Sequence, residues 1–308
     1  MKRTRNVLRL VRVSRTVSDL AKSAAFYRDA LSFSIASETA IDDPAWGRLM
    51  GIPDARGQSI VMRLGKQELE LVAFDPPGRA YPHASRSTDL RFQHAAIVVS
   101  DMDQAYADLR RYPFAAISVH GPQRLPPNTG SVTAFKFRDP DGHPLELIHF
   151  PAGVGDAGWQ KKRGVLLGID HSAISVADVQ LSIDFYTRLL GMGVGSRSVN
   201  SGMEQERLDG VREAVVDVVA LQPPDGRPPH VELLGYRCPA ARHVRRRTRA
   251  NDVIADRLVL QVDDLPHLAA ALEKENVEFI SAGIVTLRDG RHAMLVRDPT
   301  GHMLQLVE

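Results

Sequence analysis

The chain has 308 residues, 44% of them apolar, and a formal net charge of +2 at pH 7. That length is too great for one small core and suits two domains of ordinary size, and the near balance of charge offers no general attraction for nucleic acid or an anionic membrane. A single cysteine, Cys238, excludes an internal disulfide and a cluster of thiolate metal ligands.

In chain order, the basic N-terminus MKRTRNVLRLVRV interrupts its apolar residues with Arg9 and Arg12, unlike a signal peptide, and no later run approaches the ~20 apolar residues of a membrane span. A soluble, cytoplasmic protein is the expectation. A first module runs from about Leu8 to Phe74: a strand in LRLVRVSRTVSD, a helix in LAKSAAFYRDAL, and strands around SIVMRL and KQELELVAF. Its loop AWGRLMGIPDARG at 45–57 reads either as a lid over a site or as packing at a domain edge or dimer contact. A second module opens at FQHAAIVVSD and closes with FKFRDPDGHPLELIHF, whose Asp-Pro-x-Gly core sets a tight turn between two strands. The stretch that follows mixes Gly, Pro and charge without periodicity, so it reads as a linker. A third module starts at GIDHSAISVAD, carries the helix VQLSIDFYTRLLG and closes at PHVELLGY. RHVRRRTR at 242–249, with five arginines, reads as a solvated connector, or as a clamp for an anionic ligand. The fourth module contains DRLVLQVDD, the helix LPHLAAALEKEN and a final hairpin, MLVRDPTGHMLQLVE.

The two hairpins lie 159 residues apart, Asp139 to Asp298, and other landmarks recur at nearly that distance: Asp19 and Asp178, Phe26-Tyr27 and Phe185-Tyr186, Glu70 and Glu232, Asp101 and Asp264. The chain is a duplication whose halves repeat again. An α+β fold of four βαβββ modules is expected, paired into a first domain at 1–150 and a second at 167–308, joined by a linker at 151–166.

Alternate residues of a strand share a face. His94 stands seven residues before Asp101, and the same count back from Asp178, Asp19 and Asp264 gives His171, Arg12 and Arg257. On the closing strands the equivalent positions hold Glu70, Glu146, Glu232 and Gln305, each flanked by leucines that face the other way.

The opening strands QHAAIVVSD and DHSAISVAD, the helix pieces AAFYRDAL and IDFYTRLLG, and the closing RDPDGHPLEL and RDPTGHMLQL, repeated in this order over nearly the whole chain, resemble the vicinal oxygen chelate superfamily. That family includes glyoxalase I, methylmalonyl-CoA epimerase, bleomycin and fosfomycin resistance proteins and the type I extradiol dioxygenases. The resemblance implies cupped mixed sheets in which opening and closing strands of two paired modules hold one divalent metal, Zn, Ni, Co, Mn or Fe. Carried over residue by residue, it assigns Glu70, His94 and Glu146 as ligands in the first half, with Arg12 at the fourth position. In the second half it assigns a weaker set, His171, Glu232 and Gln305, with Arg257 displacing a ligand.

On that basis the expected activity is of the glyoxalase or epimerase kind, in which a metal polarises a carbonyl and a carboxylate, Glu146 or Glu70, abstracts the neighbouring proton. Arg12 would bind a substrate carboxylate or phosphate. Two alternatives stand beside it. One is a metal-free protein that binds a drug or metabolite, with Arg12 and Arg257 neutralising the carboxylates. The other is a ring-cleaving dioxygenase, whose ligand positions here read His171, Arg257 and Gln305. His292 falls where such enzymes carry an acid-base histidine, and His143 and His302, in the turns, are expected to face solvent. The expected partners are a small-molecule substrate, neither nucleic acid nor membrane, and, as an open alternative, a second copy of the chain in a homodimer.

Overall fold

The computed structural model describes residues 6–161, 163–242 and 247–308. The first module forms β1 (Val7–Thr16), α1 (Leu20–Asp29), β2 (Ser34–Ile41), α2 (Pro44–Met50), β3 (Arg56–Leu64) and β4 (Gln67–Asp75). The second forms β5 (Gln93–Val99), α3 (Met102–Leu109), two short strands β6 (Ala115–Ala116) and β7 (Gln123–Arg124), then β8 (Thr133–Arg138) and β9 (Pro144–His149). The third forms β10 (Leu166–Ser175), α4 (Val179–Asp184) with a wider turn at Phe185–Leu189, β11 (Gly193–Ser201), α5 (Met203–Asp209), β12 (Val215–Gln222) and β13 (His230–Cys238). The fourth forms β14 (Asp256–Val262), α6 (Leu265–Lys274), β15 (Val285–Thr286), β16 (His292–Arg297) and β17 (Met303–Val307). No helix among the described residues is long and apolar enough to cross a membrane.

The recurring aspartates have one local cause. Asp19, Asp101, Asp178 and Asp264 are the N-caps of α1, α3, α4 and α6, and each accepts a hydrogen bond from the backbone N–H three residues on. Each thereby satisfies a donor that the first helical turn leaves unpaired.

Among the described residues the strands form two mixed sheets. One runs β15-β16-β17-β14-β1-β4-β3-β2 and the other β11-β12-β13-β10-β5-β9-β8-β6, with β7 alongside β8. Each sheet therefore joins modules from opposite halves, the first with the fourth and the second with the third. The sequence-based expectation paired them within 1–150 and 167–308 instead. The physical reason is that modules of one half meet through their helices. Phe26 and Tyr27 of α1 and Met102 and Leu109 of α3 share one core with Leu69, Leu71, Leu145 and Leu147. Ile183 and Tyr186 share another with Leu265, Leu268, Leu233 and Leu304. With the helical faces committed to those cores, the open edges of the first strands pair across the halves, β1 antiparallel to β14 and β5 antiparallel to β10.

The duplicated turns tie the modules of each half together. Asp139 Oδ1 accepts from the backbone N–H groups of Asp141, Gly142 and His143, and Asp298 Oδ1 does the same for Thr300, Gly301 and His302. The other carboxylate oxygen accepts from the hydroxyl of Tyr27 or Tyr186, the second residue of each Phe-Tyr pair. His143 and His302 are buried, against the expectation of exposure, because Nε2 of each lies 2.8 Å from a carbonyl at the end of an opening strand, Thr16 and Ser175 respectively. In the first half the joint extends into a charged knot: Arg15, fully buried, lies 2.8 Å from Asp256 and also donates to the Tyr27 hydroxyl. His143 Nδ1 lies 3.3 Å from the same Asp256, so three modules meet there.

Breaking a buried pair by removing one partner leaves an uncompensated charge. Asp256→Ala is therefore expected to lower the unfolding free energy by about 3–5 kcal/mol in a denaturant titration. A loss below ~1 kcal/mol, the scale of a surface contact, would contradict this role.

Candidate functional site

The antiparallel pairing of β5 and β10 brings two imidazoles onto one surface. His94 lies opposite Ala173 and His171 lies opposite Ala96, so each histidine faces a small residue that leaves room above it. The parallel neighbours then supply carboxylates: Glu146 on β9 stands beside Ala96, and Glu232 on β13 stands beside Ala173. Leu145 and Leu147 point into the helical core while Glu146 points the other way, as strand alternation requires. A bulge in β10 between Ile169 and His171 adds Asp170 to the concave face, and bulges re-aim side chains in this way.

These groups are close. His94 Nε2 lies 3.0 Å from Glu146 Oε2, and His171 Nε2 lies 3.5 Å from Glu146 Oε2 and 3.5 Å from Glu232 Oε2. Donor atoms of His94, Glu146 and His171 all fall within 4.8 Å of one another. Around a divalent ion with bonds of about 2.1 Å, neighbouring ligand atoms are separated by roughly 3–3.5 Å, so the donor set fits a metal. Behind it, Asp170 Oδ2 lies 3.0 Å from His171 Nδ1 and Asp170 Oδ1 accepts from the indole of Trp159. A carboxylate on the far nitrogen fixes the imidazole so that Nε2 faces the metal position. His230 lies at the rim, with Nε2 3.4 Å from Glu232 Oε1.

The electrostatics agree with a cation site. Burial alone would lower His171, but Glu232, Asp170 and Glu146 outweigh it and hold the imidazolium well above its ordinary pKa. Burial would raise Glu146, yet His94, Lys136 and His171 keep it well below the carboxylate range. Glu232 is likewise lowered, by His171 and His230 against burial. His94 goes down, because burial outweighs the pull of Glu146. The concave face encloses a cavity of about 710 Å³, floored by these four residues and walled by Leu125, Val132, Ile148, Leu208 and Leu234, within the range of small-molecule sites.

The other sheet repeats the arrangement with different chemistry. Ser14 lies opposite Arg257 and beside Glu70, and Val259 lies opposite Arg12 and beside Gln305. Glu70 is thus on a different sheet from His94 and Glu146, and Gln305 on a different sheet from His171 and Glu232. The expected within-half ligand sets do not assemble, because the strands that carry them pair across the halves. Arg12 lies 3.1 Å from Glu68 and 3.9 Å from Glu70, and Arg257, fully buried, donates to Ser14, Thr16 and the Ala250 carbonyl. Arg12 therefore stands away from the histidine cup and is placed to bind nothing there. Helix α2, the read lid, fills this second cup: Ala45, Leu49 and Met50 pack with Val72, Phe74, Leu295 and Met303. His292 is exposed, with Nδ1 3.0 Å from Thr286 Oγ1, on the arginine-bearing sheet. Within 242–249, residues 243–246 lie outside the described residues.

The comparisons with known proteins follow this geometry. Residues 9–147 and 168–306 each match the Glyoxalase/Bleomycin resistance protein/Dioxygenase superfamily. The chain belongs to that superfamily. Glyoxalase I from Zea mays is similar in structure over 97% of this chain and 92% of its own, with a TM-score of 0.64 and 14% identity, which speaks for the shared fold. The uncharacterized protein YwbC of Bacillus subtilis (strain 168) is 27% identical over 143 residues, 46% of this chain and 96% of its own length. One superfamily unit thus spans each half, while each cup of the fold is completed by the other half.

Sequence reasoning singled out all four residues of the histidine cup but divided them between two sites, and it passed over Asp170, His230 and Lys136. The signal for the correct grouping was present: both histidines belong to modules two and three and both arginines to modules one and four. Asp170 was also visible as an acid beside a ligand candidate.

About one equivalent of a transition metal is expected to bind, to be lost in Glu146→Ala and His171→Ala, and to be retained in Glu70→Ala. Elemental analysis reads this directly, and loss on substitution of Glu70 would contradict the grouping. Because the raised His171 carries a proton near neutral pH, a metal must displace it, so affinity falls as pH drops and protons are released on binding. Calorimetry in buffers of different ionisation enthalpy measures that release.

Proposed function

We propose that this chain is a metal-dependent enzyme whose single working site is the cup built by modules two and three, with His94, Glu146, His171 and Glu232 as ligands. The observation that carries the reading is the convergence of two imidazoles and two carboxylates from four strands, over a cavity of about 710 Å³. The proposed reaction is proton abstraction next to a carbonyl in a small substrate with neighbouring oxygens, of the glyoxalase or epimerase kind. A bound divalent ion would supply charge stabilisation for the oxyanion that develops.

The chain's own residues divide the remaining roles. His94 and His171 are neutral donors when a metal is held, each on a strand rigidly paired to the other. Glu146 is buried between them and is the anchoring carboxylate. Glu232 is more open, with a side chain 20% exposed and one oxygen turned to His171 and the other to His230. It is therefore the better base: Oε1 takes the substrate proton and His230 lies where that proton can leave. Of the two bases expected from sequence, Glu146 keeps a place at the centre and Glu70 does not.

A ring-cleaving oxygenase is the second reading, favoured by one observation. His94, His171 and Glu146, whose donor atoms lie within 4.8 Å of one another, are two histidines and one carboxylate, the set used by non-haem iron oxygenases. The fourth donor, Glu232, favours proton transfer. The two are separated by a panel of α-hydroxycarbonyl compounds in deuterated solvent, followed by NMR, and oxygen uptake by the Fe(II) form with catechols. Proton transfer predicts metal-dependent deuterium incorporation that falls about 10²–10⁴-fold in Glu232→Gln when compared at equal metal loading, with His94, Glu146 and His171 still holding the ion. Oxygen uptake without exchange would overturn it in favour of the oxygenase.

A further inference from the structure

The internal duplication supplies a control for the histidine cup, since every position in it has a counterpart in the arginine cup. Four counterparts beyond the ligands differ in kind. Lys136 on β8 stands across from Glu146, and Leu295 stands across from Gln305. Tyr236 occupies the place on β13 that Phe74 has on β4, four residues past the paired glutamate. Asp209 and Gln205 of α5 correspond to Met50 and Trp46 of α2, both helices ending in a left-handed glycine. In the arginine cup these positions form a continuous apolar cluster. In the histidine cup they form a hydrogen-bonded polar one: Lys136 Nζ donates to Asp209 Oδ1 at 2.7 Å, and Tyr236 OH and Gln205 Nε2 donate to Asp209 Oδ2 at 2.9 and 2.7 Å.

The fold accepts apolar residues at all four places, and burying a charged pair is no gain in stability over doing so. Stability therefore gives no reason for the polar cluster. Its atoms suggest another. Lys136, Gln205 and Tyr236 all line the cavity, Lys136 has two further N–H donors beyond the one given to Asp209, and Gln205 Oε1 is buried with no hydrogen-bond partner. Gln205 itself is 3% exposed. An unpaired buried acceptor beside a donor asks for a ligand group that accepts and donates at once.

From this we infer that the cluster recognises an uncharged hydroxyl of the substrate, remote from the oxygens that face the metal position, accepting from Lys136 and donating to Gln205 Oε1. A carboxylate does not fit, because it brings no donor for Gln205 and Asp209 already neutralises the ammonium. The inference rests on the proposed metal and substrate cup. It makes the substrate a hydroxylated small molecule whose apolar middle lies along Leu125, Val132, Ile148 and Leu208.

The test uses the full chain loaded with Zn(II) and two matched pairs of bidentate oxygen ligands, 3- and 4-(hydroxymethyl)catechol against 3- and 4-ethylcatechol, measured by calorimetry. One member with the hydroxyl is expected to bind about tenfold more tightly than its ethyl partner, the effect of one well-placed hydrogen bond. The preference disappears in Gln205→Met, and also in the double variant Lys136→Met with Asp209→Leu, which removes both charges together. Affinity for the ethyl compounds stays within about twofold in Gln205→Met, and measurable binding of the ethyl compounds by the double variant shows that it too is folded and holds metal. Equal affinities in the unaltered chain, or a preference that survives in both variants, would overturn the hydroxyl assignment and leave the metal cup standing. Failure of every catechol to bind, or of Zn(II) to load, would overturn both.

Discussion

Two antiparallel strand pairs, β5 with β10 and β1 with β14, govern what this molecule can hold, because each pair decides which opening-strand residues share a surface. Pairing β5 with β10 unites the histidines, and pairing β1 with β14 unites the arginines. Had each half closed on itself, every cup would have received one imidazole and one guanidinium, and the permanent cation would have opposed a metal in both. The cross pairing concentrates the metal-binding donors in one place and the cationic residues in the other.

That division lets the two cups follow different physics on the same backbone. The arginine cup is closed by its own side chains: Arg257 is satisfied by hydroxyls and a carbonyl, and α2 supplies an apolar filling. It contributes to stability as a core does. The histidine cup keeps an open volume with three buried acids or bases, His94, Glu146 and His171, and the half-buried Glu232 around it, an arrangement that is costly unless something of opposite charge enters. The cores formed by α1 with α3 and by α4 with α6, with the turns at Asp139 and Asp298, hold the halves rigidly enough for that cup to stay assembled.

Much of this was legible in the sequence. The N-cap aspartates and the Asp-Pro-x-Gly turns are local devices whose chemistry lies within a few residues, so the modules and their order could be read directly. Strand alternation was enough to put Glu146 and Glu232 on the face opposite their flanking leucines, and the family resemblance implied that this face, with His94 and His171, lines a cup. The partner of each open strand edge was not legible, since β1 carries no local feature that separates a partner about 80 residues away from one about 250 away, β5 has candidate partners about 80 residues away on either side, and the helical cores that decide it are contacts between distant segments. His143 and His302 were misjudged for the same reason. Their burial depends on Thr16 and Ser175, at the ends of strands far along the chain.

The measurement that bears most directly on the cross-half site is X-ray absorption spectroscopy of the protein loaded with one equivalent of zinc. Two imidazoles per metal is the result expected from the pairing of modules two and three, with one imidazole on whatever zinc His171→Gln, whose amide oxygen can still ligate, retains. A single imidazole that is unchanged in His171→Gln and is accompanied by loss of metal in Glu70→Ala would contradict it, and would return the site to the first half of the chain.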